Sequence, residues 1–185
     1  MMWEHVKNFV SKFPLFRVIV AALPLIGFLV SRKIQSVPLL WPPLGGIEVY
    51  AVGPAVAVVA AFGKLPSLFR TKGTAKSAAF AGALLALVSL FAYGAFLSKY
   101  VVSVETPNNG IQYRTIGSQR TAEALRMFPG YSDARILEIA GLNDADIERM
   151  WTPSSVRRAR IELLVSYMLC LTFINFAAGS QVRAS

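Results

Sequence analysis

Asp144, Asp146 and Glu148 alternate as the first ligands of an EF-hand calcium loop do. The glycine and the distant glutamate of such a loop are missing, and the stretch opens a helix. The acids therefore read as a solvated helix start, favoured by the positive end of the helix dipole. His5 is the only histidine, so one chain can form neither a histidine metal cluster nor a Ser-His-Asp arrangement. Cys170 is the only cysteine and stands inside an apolar run, which rules out an intrachain disulfide or a thiolate metal site and leaves it packing as a small apolar residue. Neither a GxxxxGK(S/T) nor a GxGxxG sequence occurs. The apolar runs hold no nucleophile beside a base and no paired acids for intramembrane proteolysis. The expectation is a protein that is not an enzyme, with no catalytic residue, metal or cofactor.

The elements that position these residues are apolar. Hydrophobic residues make up 55% of the chain and charged ones 16%, a balance that a soluble domain of 185 residues has no core large enough to hide. Ala78–Ser98 is 21 residues without a charge. At about 1.5 Å per residue it reaches the roughly 30 Å of bilayer hydrocarbon. Ile47–Gly63 and Leu163–Gly179, at 17 residues each, match with the help of flanking residues or a thin bilayer. Leu15–Ser31 is interrupted by Pro24 and contains Arg17, which lies near its end and can snorkel to the interface. The fold class expected is an all-α integral membrane protein: four transmembrane helices, with a small α+β extramembrane domain, a β-hairpin plus short helices, between the third and fourth.

The organisation that follows is an interfacial amphipathic helix over 1–14, spans over 15–31, 47–63 and 78–98, a Pro-rich interfacial loop over 32–46, a basic loop over 64–77, an extramembrane domain over 99–152, a helix over 153–179 continuing into the fourth span, and a tail over 180–185. The polar lead is too long for a cleavable signal. Trp3, Val6, Val10 and Phe13 recur at helical steps opposite Glu4, Lys7, Asn8, Ser11 and Lys12, as an interfacial helix requires. In the Pro-rich loop Trp41 is expected to anchor at the headgroups. The net charge of +9 clusters beside the apolar spans, pointing to phospholipid headgroups and not to direct nucleic-acid binding. Arg157, Arg158 and Arg160 are expected to anchor to phosphates, with a specific anionic ligand or partner as the alternative. Lys64, Arg70, Lys72 and Lys76 form a short basic stretch without an acid. By the positive-inside rule it places both termini in the cytoplasm and 99–152 outside it, and it is the expected docking face for a partner.

Within the polar segment, Tyr100–Val104 and Ile111–Thr115 are β-branched and aromatic around Thr106-Pro107-Asn108-Asn109-Gly110, a hairpin pattern. Ser118 is expected to cap a helix through Met127, Ser132 one through Ala140 closed by Gly141, and Asn143 a third ending near Trp151. Thr152 and Pro153 start a helix that meets no breaker before the fourth span, so movement of the small domain would pass straight into the membrane helix. Gly53, Ala57 and Ala61, and likewise Ala78, Gly82 and Ala86, stand four residues apart and offer faces for close helix packing, within one chain or between chains of a homo-oligomer. Asn175 shares a face with Thr172 and Gly179, either bonding a neighbouring helix or lining an ion path.

The four-span layout, the hairpin-plus-helices segment and its ending GLNDADIERMWTPSSVRRAR together resemble the small membrane subunit of the Kiwa anti-phage system. The resemblance implies antiviral defence: a homo-oligomeric sensor of infection in the bacterial inner membrane, coupled to a cytosolic DNA-binding effector protein. A pore-forming effector or channel, and an accessory subunit of a larger membrane complex, are the alternatives that the residues leave open.

Overall fold

The structure, a computed structural model, describes residues 41–45, 48–64, 71–106 and 110–184, with Ala22 and Ile26. The expected N-terminal amphipathic helix, with Trp3, and almost all of Leu15–Ser31 lie outside them. The described chain is mostly helical. Helix α1 (Glu48–Lys64) is followed by α2 (Lys72–Tyr100), strands β1 (Val101–Thr106) and β2 (Gly110–Thr115), the short helices α3 (Ala122–Met127), α4 (Asp133–Ala140) and α5 (Asp144–Met150), and the long α6 (Pro153–Ala184). It falls into two compact units, one holding Ala51–Ala92 and Ser166–Ser185, the other Tyr93–Val165 and Gly27–Tyr50.

Among the described residues, two helices are long and apolar enough to cross a membrane: Gly73–Tyr100, 28 residues, and Pro153–Gln181, 29 residues. Alanine and leucine dominate the first, and both favour helix intrinsically. Thr71 starts it, accepting the Thr74 amide at 3.3 Å. Lys72–Ser77, expected in the basic loop, are therefore its first turns. The expected second span is helical as α1 over 17 residues.

The unit around Tyr93–Val165 is built on local signals. Gly110 at φ +66 closes the hairpin, and the strands pair antiparallel from Val101 opposite Thr115 to Thr106 opposite Gly110. Val104 and Gln112, directly opposite each other, are both buried. Ser132 caps α4 by accepting the Arg135 amide, and Asn143 caps α5 by accepting that of Asp146. The cap of α3 is Thr121 and not Ser118. Residues 119–121 pair with 150–152 through Thr121 N to Met150 O and Thr152 N to Gln119 O, both 2.9 Å, so the helix starts only beyond them. Ile136, Leu137, Ile147 and Trp151 close the core with Val104 and Val156. Arg149 clamps the surface by donating to Glu123 at 2.8 Å.

This core makes a paired expectation. Ile136 is fully buried and Ile139 is 51% exposed on the same helix. Ile136→Ala should cost about 2–5 kcal/mol, whereas Ile139→Ala should stay within about 0.5 kcal/mol. Thermal unfolding of the two detergent-solubilised variants measures the difference; equal losses would contradict the assigned core.

Candidate functional site

Two polar clusters organise the unit that contains Tyr93–Val165. In the first, Arg160 is only 7% exposed and donates from Nη2 to Asp144 Oδ1 at 2.6 Å. Gly45, at φ +67, stands directly against the pair: a Cβ there would lie 2.6 Å from both Nη2 and Oδ1. The glycine is thus required twice, by its backbone angle and by the space it leaves. The Thr115 hydroxyl donates to the Pro43 carbonyl, and Arg114 Nε donates to Leu142 O at 2.9 Å, binding the same region to β2.

The second cluster gathers where α2 ends and the apolar part of α6 begins. Tyr100 donates its hydroxyl proton to Glu162 Oε2 at 2.7 Å, and Arg158 Nε donates to Glu162 Oε1, also at 2.7 Å. Lys99 Nζ lies 4.8 Å from the centre of the Tyr100 ring, a cation–π contact. Arg157 and Lys99 are exposed, as is Arg158. On α6 the exposed residues Ser154, Arg157, Arg158, Ile161 and Val165 form one stripe that changes from basic to apolar within a turn or so.

Two expected anchors are placed differently. Trp41 is 1% exposed, not presented to headgroups: with the Pro43 carbonyl tied to Thr115, its indole joins the interior. Arg160 faces inward to Asp144, while Arg157 and Arg158 face outward. Of the basic residues expected to dock a partner, Lys64 ends α1, Lys72 opens α2, Lys76 is exposed on α2, and Arg70 lies outside the described residues. The Asp144–Arg160 pair, the Gly45 cradle and the Tyr100–Glu162 bond had no signature in the sequence pattern beyond the glycine pair at 45–46.

In the other unit the small-residue faces separate. Gly82 and Ala86 are buried, Ala78 is half-buried, and a Cβ on Gly82 would come 2.9 Å from Phe176 Cδ1 and 3.2 Å from Ala177 Cα. Gly53, Ala57 and Ala61 are exposed, with no atom of the described residues within 4 Å of a Cβ placed on Gly53. Asn175, 1% exposed, donates from Nδ2 to Val59 O at 2.8 Å, joining α6 to α1. No family model matches the chain, and comparison with curated proteins and with solved structures likewise finds no match.

The contrast between the two faces is measurable. Gly82→Leu should destabilise the helix packing by about 1–3 kcal/mol through overpacking. Gly53→Leu meets open space and should leave that packing unchanged. Thermal denaturation in detergent compares them, and a neutral Gly82→Leu would refute the close approach of α2 to α6.

Proposed function

We propose that the chain is a non-enzymatic sensor or scaffold subunit of the bacterial inner membrane. It spans the bilayer four times, with both termini cytoplasmic and 99–152 outside. The observation that carries the reading is the surface of α2. Phe80 and Phe91 are 73% and 71% exposed, and Leu84, Leu87 and Val88 are at least half exposed beside them. Apolar area left in water costs about 25 cal/mol per Å², whereas against lipid tails the same side chains lose nothing. The charges adjoining this surface stand at the two ends of the helix, Lys72 and Lys76 at one and Lys99 at the other.

The absence of a break in α6 between Pro153 and Ala184 supports a sensor, because a displacement of its first turns moves its apolar part as well. The open Gly53, Ala57 and Ala61 face supports self-association, since close backbone approach is what drives helix contact in lipid. The bond from Asn175 to Val59 O supports a packing role for that residue over an ion path. The basic residues Lys64, Arg70, Lys72 and Lys76 are the proposed docking face for a cytosolic effector, of the DNA-binding kind that the Kiwa resemblance implies.

Topology is tested by single cysteines at Ile111 and Thr74 in a Cys170→Ser chain, probed in intact cells with a membrane-impermeant thiol reagent. Labelling at Ile111 alone is expected, and labelling at Thr74 alone inverts the assignment of sensing and docking faces. Docking is tested by reversing Arg70, Lys72 and Lys76 to Glu together. Co-purification of the cytosolic partner should be lost and membrane insertion kept, and partner binding to the unaltered chain should weaken with salt. Ion conductance of the purified chain in liposomes that changes in Asn175→Leu and not in the triple reversal would replace this reading with a pore.

A further inference from the structure

We infer that Lys99 and Arg158 form a binding site for the phosphate of an anionic phospholipid headgroup, framed by the Tyr100–Glu162 hydrogen bond; the inference rests on the membrane reading above and gives it a ligand.

Three features of the cluster support it. First, the carboxylate that would repel a phosphate is already engaged: Glu162 accepts from Arg158 Nε at one oxygen and from Tyr100 at the other, both at 2.7 Å. Arg158 spends only its Nε on that bond, and its two terminal amino groups have no protein acceptor among the described residues. A planar guanidinium so held presents its remaining donors in a fixed direction, the geometry that favours phosphate oxygens. Second, Lys99 Nζ lies 4.8 Å from the centre of the Tyr100 ring, whose hydroxyl is bound to the same Glu162 that Arg158 holds, so a second positive charge belongs to the cluster. Third, the cluster lies at a polarity boundary on both helices. The uncharged stretch of α2 ends at Ser98, one residue before Lys99, and the exposed stripe of α6 passes from Arg158 to Ile161 and Val165. In a bilayer that is the depth at which phosphates lie, with acyl chains against the apolar side chains below. The Tyr100 ring itself is buried, and its bond to Glu162 keeps the end of α2 and the start of the apolar part of α6 in register. Arg157, exposed on the same stripe, extends the positive rim.

A free phosphate ion shares the headgroup chemistry, and the experiment separates the two sources. The full chain is reconstituted in nanodiscs of equal parts phosphatidylglycerol and phosphatidylcholine, and the lipids that stay bound on release are counted by native mass spectrometry. Phosphatidylglycerol should be retained in preference. Lys99→Ala removes no bond of the Tyr100–Glu162 frame and should lower that preference about fivefold, the effect of one basic residue near an anionic surface. Lys99→Ala with Arg158→Ala should bring the two lipids to the bulk ratio, while Arg135→Ala, an exposed arginine on α4, should change nothing. Replacing chloride by inorganic phosphate at equal ionic strength should leave phosphatidylglycerol bound; its displacement would assign the cluster to the soluble ion and overturn the lipid site. Equal retention of the two lipids by the unaltered chain overturns the site and leaves the membrane reading standing. A chain that does not enter the nanodisc overturns both.

Discussion

A guanidinium cannot be withdrawn from water without a partner, and the burial of Arg160 sets conditions on three separate stretches of chain. Its partner is Asp144, sixteen residues earlier, at 2.6 Å. Leaving a buried charge unpaired costs several kcal/mol, about 3–5 when one partner is removed. The carboxylate must therefore stand at the first turn of α5, where the positive helix end also favours it. The segment beside it must then carry no side chain at position 45, because a Cβ would occupy the place of the ion pair. Once Gly45 is fixed at positive φ, the residues before it have a defined path, and Trp41 and Leu44 become part of the interior. A proline-rich stretch that cannot form a regular helix is thus ordered by contacts distant in sequence.

The legible parts of the fold were those whose causes are local. Ser132 and Asn143 bond amides three residues on, Gly110 and Gly141 adopt positive φ within their own turns, and Pro153 starts a helix through its fixed φ. Each cause and its effect lie within one turn of chain. Ser118 misled because its competitor was distant: the backbone of 150–152 pairs with 119–121 and delays the helix to the cap at Thr121. Trp41 misled for a related reason. An indole beside prolines near apolar spans fits a headgroup anchor equally well as a core residue until the tie from Thr115 to Pro43, 72 residues apart in the chain, is known. The Tyr100–Glu162 bond joins residues 62 apart and left no periodic trace to read.

The two stripes of small residues show how identical spacing acquires different meanings. Gly82 and Gly53 both sit in alanine-rich helices with small residues four positions on. Around Gly82 the volume is taken by Phe176 and Ala177 of the same chain; around Gly53 none of the described residues fills it. The stripe determines only that a backbone can come close, and the partner is decided by the rest of the fold. On α1 the inward face is instead Ala51, Val52, Ala55 and Val59, whose carbonyl at Val59 receives Asn175. An Asn at that point has a backbone acceptor within reach, so its polarity is spent inside the helix packing.

The run Arg157, Arg158, Arg160 carries the same lesson to the proposed site. Read as composition it is one basic patch. Read on a helix of 3.6 residues per turn, Arg158 and Arg160 are about 200° apart and cannot serve the same surface. The structure divides them accordingly: Arg158 turns outward to Glu162 with 77% of its side chain exposed, and Arg160 turns inward to Asp144 with 9%. Periodicity alone therefore required the patch to split, although it could not say which side faced inward. That choice follows from Leu163 and Val156, both buried and lying on Arg160's side of the helix, and from Ile161 and Val165, exposed near the side of Arg158. One arginine is consumed in holding the fold, and the other, partnered through a single nitrogen, keeps donors for a ligand.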